Sequence, residues 1–208
     1  MQETFMKIPK DTLYDTDDLT SYKNLILSYL YFKRDFNNQI TLSMSLMCQE
    51  LNLSFGRASS SGYQALNFLK SLMASNTIQL VPRLNCLSPD QINKTNIFVL
   101  SYNPPQTSNS NFVMLTLSEF NKLISYLLSN QVNQRTDKLL KVYLFIKSNI
   151  NPIKPSPFFI SGASVRSLVK VGHDSAQEIL DILEDAELIT STAPNTYTFF
   201  ENTLDKTN

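Results

Sequence analysis

Residues 25–33, LILSYLYFK, and residues 139–147, LLKVYLFIK, align without gaps, and these two stretches decide the fold. In the first stretch the apolar residues Leu25/Ile26, Tyr29/Leu30 and Phe32 recur at intervals of three and four. That interval puts them on one side of an α-helix, so we predict a buried helix at each site. The aromatic rings of the first helix could stack on unpaired bases. Their helical spacing favours packing in the core instead.

The residues after the first helix predict a fixed order of elements. Asn37-Asn38 is a turn signal, and residues 39–43 form a β-prone run. A helix over 46–51, capped by Ser43 or Ser45, then leads through a polar stretch, 55–62, to a third helix over 63–73. Residues 77–84 and 97–102 pair as a hairpin. This is the order of a winged helix-turn-helix, a mainly α fold with small β-hairpins (α+β), in which the hairpin covers one open side of three short helices.

The second half of the chain repeats this order. Residues 112–115 match 5–8, residues 159–161 take the place of the first short strand, and residues 168–172 fall on 50–54. Ile179-Leu180 and Leu183 fall on Phe68-Leu69 and Leu72, and Ala193-Pro194-Asn195 forms the tip of a tight second wing. We expect two tandem winged helix-turn-helix domains related by internal duplication. The alternative is chance similarity between two helical units of one class. The helix predicted at 117–128 has only a short, poorly helical counterpart, at 11–18.

A polar segment with two prolines, residues 103–111, is the clearest linker signal in the chain. We therefore predict a first winged-helix domain at 1–104, a linker at 105–111 and a second winged-helix domain at 112–208.

Composition excludes several classes of protein. No apolar run reaches the roughly 18 residues of a membrane-spanning helix, and the first residues lack the pattern of a signal peptide. With two cysteines, Cys48 and Cys86, this favours a cytoplasmic protein. The single histidine and four unclustered glycines fit neither a zinc site nor a phosphate-binding loop. We expect no enzyme activity, no cofactor and no metal.

A tandem pair of winged helices of this size resembles the plasmid and phage replication initiators of Gram-positive mobile elements. The opening, Phe5 to Lys10 followed by Leu13-Tyr14 and a helix to Arg34, looks like the start of their first domain. The resemblance implies double-stranded DNA as the partner. Tandem winged helices also occur in accessory proteins of conjugative transfer, in helicase loaders and in transcription regulators, so the fold does not fix the function.

In such proteins the third helix of each winged-helix unit enters the major groove with its N-terminal residues at the base edges. For the first half this implies a set of polar candidates at the start of the third helix and two basic candidates in the wing, whose side chains suit base edges and phosphates. These DNA-binding candidates are Arg57, Ser59, Ser60, Ser61, Tyr63, Gln64, Asn67, Arg83 and Lys94. The alternative is a polar loop followed by an ordinary solvated helix face.

The second half departs from this pattern because its third helix is acidic. Residues 174–187 carry six acids and no base, and such a helix repels phosphate unless its acids point away. Only its first turn could approach a groove, whereas residues 135–170 carry seven bases against one acid. The DNA-binding candidates of this half are Lys138, Lys141, Arg166, Lys170, His173, Ser175 and Gln177. The acidic helix favours a protein partner, and for His173 we expect a capping or surface role.

The sequence has 18 basic and 18 acidic side chains, so its net charge is zero, which is unusual for a DNA-binding protein. Opposite blocks of charge produce that sum and leave a basic face open. We expect a sequence-specific or structure-specific duplex binder of a mobile element, acting in replication initiation, conjugative transfer or transcription control. It would be a monomer that forms an internal pseudo-dimer, or a dimer. The alternative is a protein–protein adaptor, such as a helicase loader or a transfer-complex component.

Overall fold

A computed structural model describes most of the chain as two similar halves packed on each other. The described residues are 4–15, 18–57, 59–82, 84, 87–102, 111–130, 132, 135–150 and 156–199. We call 4–102 the first half and 111–199 the second half. Among the described residues, no helix combines the length and the apolar character that crossing a membrane requires.

The first half contains four helices and a three-stranded antiparallel sheet in the order β2-β4-β3. Its elements are β1 (Phe5–Pro9), α1 (Asp11–Tyr14), α2 (Asp18–Lys33), β2 (Gln39–Ser43), α3 (Met44–Glu50), α4 (Ser61–Ala74), β3 (Ile78–Leu80), a short 3-10 helix (Pro89–Gln91) and β4 (Ile97–Tyr102). Ile40 and Leu42 alternate towards the core along β2, as the period of a half-buried strand requires.

The second half has the same succession of elements and a sheet with the equivalent order, β6-β8-β7. Its elements are β5 (Phe112–Thr116), α5 (Leu117–Asn130), α6 (Thr136–Asn149), β6 (Phe158–Phe159), α7 (Gly162–Val169), α8 (His173–Asp185), β7 (Ile189–Ala193) and β8 (Thr196–Phe199). In each half the strand before the helix pair lies beside the last strand of the hairpin.

The two halves are joined by a sheet that takes one strand from each. β1 pairs with β5 in antiparallel register, with Phe5 opposite Thr116 and Pro9 opposite Phe112. One face of this sheet is buried, and its residues are Met6, Ile8, Val113 and Leu115. Among the residues that the structure describes, β1 and β5 pair only with each other.

The equivalent helices α2 and α6 pack against each other at the centre of the molecule. Tyr22 and Tyr29 are buried in α2, and α6 is buried on nearly all sides from Leu139 to Leu144. Tyr31 and Phe32 of α2 are partly buried and pack against the core, so the aromatic residues of α2 pack in or against the core, as their spacing predicts.

The local geometry of the halves also corresponds at helix ends. Ser43 and Ser161 cap α3 and α7, and each hydroxyl accepts a backbone hydrogen bond three residues on at 3.2 Å. Asn52 and Lys170, which follow these helices, both adopt a left-handed conformation with φ of 53° and 50°. Asn76 and Glu187, which follow α4 and α8, do the same with φ of 56° and 55°. The four left-handed residues thus form two matched pairs, one after each helix of the two helix pairs.

The prediction of a mixed α+β fold with small antiparallel sheets is confirmed. The third helix starts earlier than expected, at Ser61, and the first wing strand is shorter, 78–80. The helix predicted at 117–128 is α5, and the short α1 occupies 11–14 in the corresponding place. The domain limits 1–104, 105–111 and 112–208 stay predictions, and residues 103–110 of the linker lie outside the described part of the chain.

Candidate nucleic-acid interface

The loop before α4 is built by hydrogen bonds from serine side chains to its backbone. Ser60 Oγ accepts from Gly56 N at 3.1 Å, and Ser61 Oγ accepts from Ser54 N at 2.9 Å. Gly62 N donates to Ser54 O at 2.8 Å. Ser60 and Ser61 are thus half-buried and hold the loop, so their hydroxyls are committed first to the protein's own backbone.

The first turns of α4 present polar side chains to solvent. Tyr63 and Asn67, one turn apart, are both exposed. Gln64 is half-buried, and its Nε2 donates to the carbonyl of Ser59 at 3.1 Å. Arg57 lies in the preceding loop, also exposed, and its carbonyl accepts from Ser60 N at 2.8 Å. Among the predicted residues near the N-terminal end of α4, the exposed ones are therefore Arg57, Ser59, Tyr63 and Asn67.

The loop between β3 and β4 reaches this surface through Lys94. The carbonyl of Lys94 accepts from Ser45 N at 3.0 Å and from Ser45 Oγ at 2.8 Å, which ties the loop to the start of α3. Lys94 Nζ lies 5.2 Å from the centre of the Phe55 ring, within cation–π range. Phe55 in turn meets Tyr63 edge to face, with ring centres 5.2 Å apart. We call Phe55, Tyr63 and Lys94 the Phe55 cluster.

Two members of this surface are not among the sequence candidates. Phe55 is the residue that brings Lys94 and Tyr63 together, and the signal for it was a lone aromatic residue in a polar loop. Lys70 follows Tyr63 by seven residues, which places it near the same helix face, and its Nζ donates to Asp90 O at 3.4 Å. Arg83, the other wing candidate, lies outside the described residues.

In the second half, Lys138 and Lys170 come together at the α7–α8 turn. Lys138 Nζ donates to the carbonyl of Lys170 at 3.3 Å, and the Lys170 side chain is exposed. Arg166 is exposed one turn earlier on α7. These three bases lie on or beside the helix pair that corresponds to α3 and α4.

Lys141 is a correction to the predicted set. The residue is 2% exposed, and its Nζ donates to the carbonyl of Asp15 in the first half. It lies on the side of α6 that faces the first half, where no duplex can reach it. Lys141 lies in an almost continuous apolar run, 139–146, which predicts a helix buried on nearly all sides. That run is the signal that could have excluded Lys141 from the DNA-binding candidates.

The N-terminal turn of α8 is exposed but strongly acidic. His173 is exposed and its Nδ1 lies 3.5 Å from Asp174 Oδ1, a surface position as expected. Gln177 donates to Asp181 Oδ1 at 2.8 Å, and Ser175 is half-buried. These three candidates therefore stand among carboxylates.

The carboxylates of α8 divide into two groups. At the C-terminal end, acids accept from groups outside α8: Asp185 from Tyr126 at 3.0 Å and Glu184 from Ser191 N at 2.8 Å. Asp174, Glu178 and Asp181 are exposed along the N-terminal turns, at the helical spacing of one face. The second half thus turns an acidic stripe outwards at the place where the first half has the Phe55 cluster.

Comparison of the chain with protein-family models, with curated proteins and with solved structures finds no match.

Proposed function

We propose that this protein binds double-stranded DNA through two winged helix-turn-helix units that arose by internal duplication. We further propose that it acts in replication initiation or a related DNA transaction of a mobile element. The resemblance to plasmid and phage initiators suggests that process. Binding would involve no chemical step.

The matched backbone of the halves supports the duplication. Both have helix, strand, helix, helix and hairpin in order, and both sheets place the last hairpin strand in the middle. The serine caps of α3 and α7 and the left-handed turns after four helices agree as well. A helix pair followed by a β-hairpin is the arrangement expected of a winged helix-turn-helix.

The observation that carries the proposal is the surface at the start of α4. The Phe55 cluster lies at the N-terminal end of α4, with the exposed Arg57 in the preceding loop and the exposed Asn67 one turn after Tyr63. Residues 51–89 include three bases and no acid. A helix N-terminus with basic and amide side chains suits both phosphate and base-edge contacts. On this proposal α4 lies in the major groove, and Lys94 of the loop holds a phosphate.

A salt-dependent gel-shift titration tests the proposal. The probe is a random-sequence duplex pool long enough for two half-sites about 10.5 base pairs apart. We expect affinity to fall steeply with salt, and we expect Lys94→Ala to reduce the logarithmic salt slope by about 1. Lys122→Ala is the matched control, because Lys122 is a second-half lysine 3.6 Å from Glu187 and away from α4. Absence of duplex binding at low salt would refute the proposal.

A second candidate function is a protein–protein adaptor, and the acidic stripe of α8 favours it. The paired substitution Asp174→Asn and Glu178→Gln separates the two functions. If α8 faces DNA, removal of the two charges raises duplex affinity, because repulsion of phosphate is relieved. If the stripe binds a protein partner instead, the paired substitution does not change duplex affinity. An adaptor without a DNA role shows no duplex binding, either as the wild type or as the doubly substituted variant.

A further inference from the structure

We infer that the second half positions the α3–α4 turn of the first half, so that the DNA-binding surface of α4 is presented correctly only when the halves are docked. This inference rests on the proposed function. It assigns a positioning role to Thr136 and Asn52, which lie outside the candidate interface. Two hydrogen bonds that link the halves carry the inference, and we call them the inter-half contact.

The inter-half contact holds the α3–α4 turn at two adjacent residues, Leu51 and Asn52. Thr136 Oγ1 donates to the carbonyl of Leu51 at 2.6 Å, and both residues have no exposed surface. Asn52 Nδ2 donates to the carbonyl of Val132 at 2.8 Å. Asn52 has a left-handed backbone with φ of 53°, a conformation that asparagine tolerates better than most residues. The turn is therefore fixed by a donor from each half.

The second half holds its side of this contact rigidly. Thr136 is the first residue of α6, and the residue before it, Arg135, stacks on the ring of Tyr22 in the first half at 4.8 Å. Arg135 also pairs with the buried Asp137, with Nε and Nη2 donating at 3.0 and 2.8 Å. A bidentate pair of this kind fixes the orientation of the guanidinium as well as its position.

The turn passes its position to α4 through a short path. Leu53 N, next to Asn52, donates to Cys48 O at 2.7 Å. The carbonyl of the following residue, Ser54, accepts a hydrogen bond from Gly62 N at 2.8 Å. The Ser54 N–H donates to Ser61 Oγ at 2.9 Å. Three consecutive residues thus connect the inter-half contact to the first turn of α4. In the second half the equivalent turn differs, since the carbonyl of Lys170 accepts from Lys138 of the same half.

The test compares variants that remove single hydrogen bonds with variants that keep them. Thr136→Val removes the hydroxyl at nearly constant volume, and Thr136→Ser retains it. Asn52→Gly keeps the left-handed backbone and removes the amide. Asn76→Gly is its control, because Asn76 has the same conformation, φ of 56°, at the other end of α4. Each full-length variant is measured by amide hydrogen exchange and by gel shift with the random duplex pool.

We expect Thr136→Val and Asn52→Gly to accelerate exchange at the amides of 53–62 while amides of α8 keep their wild-type rates. We expect duplex affinity to fall about tenfold, and Thr136→Ser and Asn76→Gly to behave as wild type. Unchanged exchange at 53–62 overturns the inference whether or not the protein binds DNA. Faster exchange with unchanged affinity also overturns it and leaves the proposed function standing. If the wild type binds no duplex, the proposed function fails, and the exchange result alone decides whether the second half positions the turn.

Discussion

Replacement of Gly62 by alanine tests how tightly the loop before α4 is packed. Gly62 is the second residue of α4 and is buried. An added Cβ would lie 2.9 Å from Cγ and Cδ2 of Phe55 and 2.9 Å from the carbonyl oxygen of Ser54. The Phe55 ring can turn aside. The Ser54 carbonyl is backbone and already accepts from Gly62 N at 2.8 Å, so it cannot retreat without lengthening that bond.

The magnitude follows from two opposing terms. Overpacking by one methyl group costs about 1–3 kcal/mol where the surroundings cannot relax. Alanine gains up to about 1 kcal/mol over glycine in a helix. No glycine has a positive φ, so no backbone strain enters the sum. With the full helix gain the difference is a loss of up to about 2 kcal/mol, so we expect Gly62→Ala to lower the free energy of unfolding by up to that amount.

Gly162 supplies a matched control because it is the first residue of α7 and a Cβ there meets nothing within 4 Å. Gly162→Ala should stabilise the protein by about 0.5–1 kcal/mol. Urea denaturation of both variants gives the two values, and thermal melting should show shifts of about 2–4 °C for each kcal/mol. If Gly62→Ala is as stable as Gly162→Ala, the loop is not packed as described. Gly62→Ala should also weaken duplex binding, because displacement of the Phe55 ring disturbs its cation–π contact with Lys94.

Three further predictions concern buried polar groups. Burial raises the pKa of Asp137, although Arg135 opposes the shift, so the folded state holds this proton more tightly than the unfolded state. As the pH falls from this raised pKa towards the ordinary value of 3.8, the free energy of unfolding of the wild type should therefore rise relative to that of Asp137→Asn. Urea denaturation of both proteins over a pH series measures this difference. Burial also raises the pKa of Cys48 to about 12, so in a Cys86→Ser background Ellman's reagent should react only after unfolding. Lys141→Met should leave the logarithmic salt slope of duplex binding unchanged in the gel shift, since the buried Lys141 contacts no phosphate; a reduction equal to that of Lys94→Ala would contradict this.

Most secondary structure of this protein could be predicted because its causes are local. The spacing of Tyr29 and Leu30 defines the apolar side of α2, and Ser43 marks the start of α3 through a bond to a residue three positions on. The surface of α4 could be predicted in part for the same reason. Arg57 and Tyr63 follow from their place before and within a helix, whatever else the helix contacts.

The sequence by itself thus determined which elements form, their order and the mixed α+β class. Only the tertiary structure decided that β1 pairs with β5, that Lys141 is buried and that Phe55 joins Lys94 to Tyr63. A periodic pattern shows which side of an element is apolar, but it does not show which distant segment covers that side. Partners far apart in the chain are selected by the packing of the whole molecule, which is also why no local signal indicated the hydrogen bonds that Thr136 and Asn52 make between the halves.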